Sequence, residues 1–184
     1  AAFDTTFVYI THDQSEALVM SDNIAVMNNG RFEQIGTPHD VYNAPETAFV
    51  AGFVGDANKI TARVSSAKDG VLTLSADGES DIRVAAQNSG FHVGQLLQVY
   101  LRPEAIELLP NGAEADKASN VSHGIVDAVL FNGANSMVTV KAEGGVLWKV
   151  ALPQTGGFSS LQKGDAIRTR WHPAQARCYQ AAEG

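Results

Sequence analysis

Apolar and polar positions fall into two different patterns along the chain, and the change comes near residue 56. Thr5-Thr6-Phe7-Val8-Tyr9-Ile10-Thr11 is a continuous apolar run that predicts a strand buried on both faces, as in a parallel sheet. Ala17, Leu18 and Met20 follow as a short helix. Asp13 stands at its cap position with Glu16 three residues on, the spacing of a capping box with Asp in place of Ser or Thr. Two β-like runs flank Asn29-Gly30 and predict a hairpin. Thr37-Pro38-His39-Asp40 has the features of a helix start: a Thr cap, Pro in the first turn and an acid after it. The stretch to Gly55 predicts two short helices broken near Pro45.

From Lys59 onward short β-runs are separated by turn dipeptides, Asp69-Gly70, Asp77-Gly78, Asn132-Gly133 and Gly144-Gly145. Such spacing predicts a small barrel or sandwich. Residues 110–120 are polar and read as a linker. The β region also repeats itself. Gly94 precedes Pro103 by nine residues, and Gly164 precedes Pro173 by nine. Each Gly follows a polar loop and opens an alternating strand, and each Pro closes it, since Pro cannot supply a ladder N–H. Two five-strand copies, residues about 59–109 and 121–181, are the simplest account.

Composition narrows the function classes. The 184 residues are 45% hydrophobic and 18% charged, enough apolar mass for at least one core. The net charge of −7 disfavours sequence-independent nucleic-acid binding, which needs clustered Lys and Arg. Cys178 is the single cysteine, so no intrachain disulfide or Cys-based zinc site can form. His39, His92, His123 and His172 are scattered without metal-ligand spacing and read as surface or structural residues, so no metal site is expected. No apolar run approaches the roughly 18 residues of a membrane span. The chain has no initiating Met and opens almost directly on the first apolar run, so it reads as a fragment whose upstream part is missing.

Tyr9-Ile10-Thr11-His12-Asp13-Gln14-Ser15-Glu16-Ala17-Leu18 resembles the switch-histidine segment of ABC-transporter ATPases. The residues up to Gly55 resemble the end of their nucleotide-binding domain in the importer group that includes the maltose, polyamine and ferric-iron systems. The β repeat resembles that group's C-terminal regulatory module, the TOBE domain, an OB-like barrel. Leu101-Arg102-Pro103-Glu104-Ala105-Ile106-Glu107-Leu108 is similar to its recurring Arg-Pro-Glu signature.

The resemblance implies a mainly β fold: OB-like TOBE repeats in residues 57–184, preceded in 1–56 by a remnant of an α/β P-loop nucleotide-binding domain. It makes His12 the switch histidine, contacting the γ-phosphate of ATP and helping to position the attacking water. It makes Arg102, Pro103 and Glu104 the regulatory signature. ATP and Mg²⁺ serve the intact parent; no G-x-x-x-x-G-K-[ST] occurs here, so this chain alone is expected neither to hold ATP nor to hydrolyse it. Implied partners are a second subunit meeting through the regulatory barrels, membrane-spanning permease subunits and, through them, a solute-binding protein. Nucleic acid is not among them. The implied location is the cytoplasmic face of the bacterial inner membrane, and the solute inclines to a polyamine, spermidine or putrescine.

Blander readings stand beside these. Taken alone, His12 is a strand-end residue satisfied by solvent, and Asp13, Gln14 and Glu16 are capping and orienting groups rather than catalysts. Arg102 and Glu104 fit a local ion pair at a strand end. Trp148, Trp171, Phe131 and Phe158 fit core or interface packing better than a base-stacking platform, and Cys178 fits a core or surface thiol. The alternative functions are a stand-alone OB-like module for nucleic acid, or a sensor of a small oxyanion with Arg102, Lys149 and Arg170 as candidates by charge alone.

Overall fold

Residues 5–76, 81–87, 90–110, 112–132, 135–143, 145–152 and 161–181 are described by the computed structural model. The chain divides into two compact units, residues 1–55 and 56–184.

In the first unit, α1 (Gln14–Met20) is followed by a hairpin of β1 (Ile24–Asn28) and β2 (Arg31–Gly36), then α2 (Pro38–Asn43) and α3 (Ala48–Phe53). Asn29 and Gly30 both adopt left-handed backbone, at φ 48° and 76°, as a tight hairpin turn demands. Thr37 and Asp40 form a full capping box at the start of α2. Val26, Val41, Val50 and Val54 make a small core, with Leu18, Ile24, Tyr42 and Phe49 packed against it. Buried Gln34 pins the connection between α2 and α3, donating to the Ala44 carbonyl and accepting from the Glu46 N–H.

The strand expected over residues 5–11 does not form. Phe7, Val8 and Ile10 are 87, 87 and 92% exposed, the opposite of a doubly buried strand. Among the described residues the β1–β2 hairpin pairs only with itself, so the segment has no ladder to join and its backbone groups face water. The capping box expected at α1 is half made. Asp13 accepts from the Ser15 and Glu16 N–H groups, but the Glu16 carboxylate turns to Tyr9 and Thr11 instead.

Among the described residues the second unit is all β apart from two single 3₁₀ turns. Its strands are β3 (Asn58–Lys68), β4 (Val71–Ser75), β5 (Ile82–Ala85), β6 (Leu96–Leu101), β7 (Glu107–Leu109), β8 (Asn120–Asn132), β9 (Asn135–Ala142), β10 (Leu147–Leu152), β11 (Ala166–Trp171) and β12 (Arg177–Gln180). They build two antiparallel sheets, ordered β12-β6-β3-β4-β5 and β10-β9-β8-β11-β7. Each sheet takes four strands from one stretch of chain and its fifth from the other: β7 crosses to lie beside β11, and β12 crosses to lie beside β6. One apolar core serves both. Val64, Leu74, Leu97 and Val99 enter it from the first sheet, and Val126, Val138, Val140 and Trp148 from the second.

Local devices recur at matching places. β3 has a bulge between Val64 and Ser66, and β8 one between Val126 and Ala128. Gly94 and Gly164, at φ 89° and 99°, donate to the carbonyls of Val64 and Val126, both at 2.8 Å. A bulge bends a strand and increases its twist, which suits a curled, OB-like sheet. Asp77-Gly78 lies outside the described residues, as do Gly133, Gly144 and Phe158.

Candidate functional site

His12 follows the exposed apolar segment and immediately precedes the Asp13 cap of α1. Its side chain is exposed and makes no hydrogen bond among the described residues. The residues around it are ordered by short-range contacts. Tyr9 and Thr11 hydroxyls donate to Glu16 at 3.0 and 3.2 Å, and the Asp13 N–H donates to the Thr11 hydroxyl at 2.9 Å. The bond to the Glu16 carboxylate raises the Tyr9 pKa above its ordinary value, because ionising the phenol would place two negative groups together. Gln14 reaches further and accepts from the Gly55 N–H at 2.7 Å, tying the segment after His12 to the end of the first unit. The geometry thus leaves the imidazole of His12 open on a locally braced loop.

In the second unit Arg102 donates to the Asp56 carbonyl at 3.1 Å, and buried Pro103 opens the 3₁₀ turn Pro103–Ala105. The matching turn, Pro173–Gln175, is capped by His172: its Nδ1 accepts from Ala174, and its N–H donates to the Gln175 side chain. A proline therefore has a structural task at both places. It ends a strand and starts the turn from which β7 or β12 crosses to the other sheet.

Two buried asparagines were not singled out in the sequence. The Asn58 amide donates to the Lys149 carbonyl at 2.8 Å and accepts from the Lys149 N–H at 2.7 Å. The Asn120 amide does the same to Arg83, also at 2.8 and 2.7 Å. Lys149 lies on β10 and Arg83 on β5, each an edge strand of the opposite sheet. Each amide supplies the donor and acceptor of one missing ladder rung. The signal was present: Asn58 precedes Val64 by six residues, and Asn120 precedes Val126 by six.

The candidate cations are engaged locally. Lys149 pairs with Asp56 at 3.7 Å, and Arg170 donates through Nε and Nη2 to Glu107 at 3.0 and 2.7 Å. Trp148 and Trp171 are buried with ring centres 6.3 Å apart, so neither offers a face for stacking. Phe131 is 79% exposed and is not a core residue. Cys178 is buried, which pushes its thiol up to about 12 and leaves it protonated at neutral pH. Among the described residues no group of His, Cys, Asp and Glu could hold a metal ion. A groove of about 920 Å³ runs beside β8, β9 and β11, lined by His123, Lys141, Arg168, Glu114 and Glu143 among others. Arg168 holds its rim by donating to the Ala113 carbonyl. Its lining mixes both signs of charge and selects no single ligand class.

Residues 99–178 match the TOBE domain family. Over 171 residues the chain is 39% identical to the spermidine/putrescine import ATP-binding protein PotA of Thermobifida fusca, covering 91% of this chain and 43% of that protein. Over 152 residues it is 40% identical to the sulfate/thiosulfate import ATP-binding protein CysA of Caulobacter vibrioides, covering 77% and 44%. The chain thus spans less than half the length of these relatives. Among solved structures, the cytoplasmic molybdate-binding protein ModG superposes with a TM-score of 0.62 at 14% identity, over 67% of this chain and 96% of ModG. That likeness supports the OB-like fold alone.

Proposed function

We propose that the chain is the C-terminal part of an ATP-binding subunit of an ABC importer that carries a TOBE domain. In this reading residues 1–56 close the nucleotide-binding domain and residues 57–184 form the regulatory domain. The observation that carries it is the combination of an exposed His12 on a braced loop with 39% identity across nine-tenths of the chain to a spermidine/putrescine import ATP-binding protein.

His12 contacts the γ-phosphate of ATP in the intact subunit. A hydrogen bond to a charged group is worth about 1.5–3 kcal/mol, enough to tell ATP from ADP but not to hold ATP. The sequence contains no phosphate-cradling loop, so ATP with its Mg²⁺ does not fit this chain by itself, and the chain alone does not turn ATP over. The Tyr9, Thr11 and Glu16 contacts brace the chain on both sides of His12. Arg102, Pro103 and Glu104 act in the regulatory domain, where Pro103 sets the crossing of β7. The intact subunit works as a dimer with membrane-spanning permeases and a solute-binding protein, at the cytoplasmic face of the bacterial inner membrane, and its solute is spermidine or putrescine.

The test is ATPase and uptake measurement on the intact subunit assembled with its permeases. His12→Ala should lower ATP turnover at least about tenfold, the loss of roughly 1.4 kcal/mol of transition-state stabilisation, with nucleotide still bound. Spermidine or putrescine, but not sulfate, should stimulate turnover through the binding protein. Wild-type turnover in the His12→Ala subunit would overturn the switch role, and stimulation by sulfate alone would overturn the solute.

A further inference from the structure

The five strands of the first sheet of the β unit carry Lys59, Arg63, Lys68, Arg83 and Arg177 and no Asp or Glu, in a chain whose acids outnumber its Lys and Arg by 20 to 13. The register gathers part of this charge on the outward face. Arg177, Tyr100 and Lys59 lie side by side across β12, β6 and β3, and the next outward row is Tyr179, Gln98 and Thr61. Arg63 continues the face along β3. Lys59 Nζ sits 5.7 Å from the centre of the Tyr100 ring, and Tyr100 meets Tyr179 edge to face with centroids 5.7 Å apart.

The matching row on the second sheet is different. There Glu107, Arg170 and Val121 stand side by side, and Glu107 pairs with Arg170 at 2.7 Å. The second sheet neutralises its row internally. On the first sheet Lys59 and Arg63 form no ion pair among the described residues; Arg63 spends one guanidinium nitrogen on the Gly94 carbonyl and keeps its charge.

We propose that this face, centred on Lys59, Arg63 and the Tyr100–Tyr179 pair, docks an extended acidic segment of a partner protein. Charge complementarity selects the sign of the occupant. The spacing selects its form: Lys59 and Arg63 are four residues apart on one strand, about 13 Å at about 3.3 Å per residue. Two carboxylates four residues apart on an extended peptide span the same length. The packed rings argue against single-stranded nucleic acid, which needs open aromatic faces. Tyr100 is 7% exposed, and burial pushes the Tyr179 phenol up to about 12, so it stays a hydrogen-bond donor. A lipid surface is disfavoured because Leu96, at 38%, is the exposed large apolar residue within these rows. The inference does not depend on ATP chemistry.

The experiment is titration of the full chain into a fluorescein-labelled ten-residue oligoglutamate peptide, followed by anisotropy, with amide NMR shifts mapped on the unlabelled complex. Saturable binding is expected, with shifts confined to β3, β6 and β12 and binding weakened at 300 mM salt. Lys59→Glu should weaken it about threefold to tenfold, Lys59→Gln less, and Lys141→Glu on the other sheet not at all. Retained NMR dispersion in both Lys59 variants excludes misfolding as the cause. No binding, shifts centred on the second sheet, or equal affinity for Lys59→Glu would overturn the proposal. So would displacement of the peptide from this face by oligo-dT or by phosphatidylglycerol vesicles at equal charge concentration.

Discussion

The side-chain amide of Asn58 faces the backbone of Lys149 and makes both hydrogen bonds that a neighbouring strand would make, at 2.8 and 2.7 Å. Asn120 and Arg83 repeat the arrangement with the roles of the sheets exchanged. Both asparagines are about 95% buried, so they close the sheets against each other and cover an edge on each.

Removing either amide strands a backbone donor and acceptor. Asn58→Ala and Asn120→Ala should each lower stability by about 1–3 kcal/mol. Urea unfolding of the chain should show a lower midpoint for each at an unchanged slope. Asn58→Asp should cost at least as much, because a carboxylate can accept from the Lys149 N–H but cannot donate to its carbonyl. A midpoint unchanged by Asn58→Ala would show that the amide bonds are dispensable.

The matched segments also differ at one instructive place. Ala62 on β3 and Gly124 on β8 each precede their bulge by two residues. A Cβ at Gly124 would lie 2.6 Å from the Lys141 carbonyl oxygen and 3.1 Å from the Ala142 Cα, both backbone atoms that cannot swing aside. Gly124→Ala should therefore destabilise by about 1–3 kcal/mol, as overpacking does. Ala62→Gly should cost only about 0.5–1 kcal/mol from chain entropy, plus the loss of one buried methyl. Equal and small effects in thermal unfolding would contradict the close approach.

Much of this was legible in the sequence for physical reasons. Left-handed turns demand particular residues, so Asn29-Gly30 and Asp69-Gly70 announce their hairpins, and Asn29 and Asp69 do take positive φ. The pairs Gly94/Pro103 and Gly164/Pro173 mark equivalent places because both residue types answer to backbone constraints. What the strands do next was not legible. Nothing in the three residues Glu107–Leu109 says which sheet they join, since register and partner are set by tertiary packing. The Phe7–Ile10 run misled because hydrophobicity reports a wish for burial and not the presence of a partner strand. His12 was singled out as a candidate through the order of its neighbours, and the structure adds that its side chain is exposed.

The Thr37–Asp40 box makes a pH-dependent contribution. The Thr37 hydroxyl, and then the Thr37 N–H, donate to the Asp40 carboxylate and hold its pKa below the ordinary value. The folded state therefore binds this proton less readily than the unfolded chain. The stabilisation is fully present above the ordinary carboxylate pKa and is lost as pH falls through the lowered one. Thr37→Ala should cost about 1 kcal/mol at neutral pH and let the Asp40 pKa rise toward its ordinary value in a carboxyl NMR titration. Asp40→Asn should remove the part of the acid sensitivity of α2 that this group supplies. An Asp40 titration unmoved by Thr37→Ala would dismiss the hydroxyl as the cause.

Thr169 offers the reverse case, in which a substitution should help. It sits on β11 at 1% exposure, and its hydroxyl has no hydrogen-bond partner among the described residues. Folding strips water from that oxygen and returns nothing, a penalty of about 1–3 kcal/mol for an unsatisfied buried group. Valine has nearly the same shape and the same branching at Cβ, so it keeps the rotamer and the strand preference while removing the polar atom. On its face of β11 Thr169 stands between buried Ile167 and Trp171, and its cross-strand partners are Leu108 on β7 and Ser122 on β8. Thr169→Val should raise stability by up to about 1 kcal/mol once imperfect packing is allowed for, seen as a higher urea midpoint at unchanged slope. Its effect should be independent of Asn58→Ala if the two sites share no partner, and a double variant tests that. A loss of more than about 1 kcal/mol would mean that the hydroxyl is satisfied in solution.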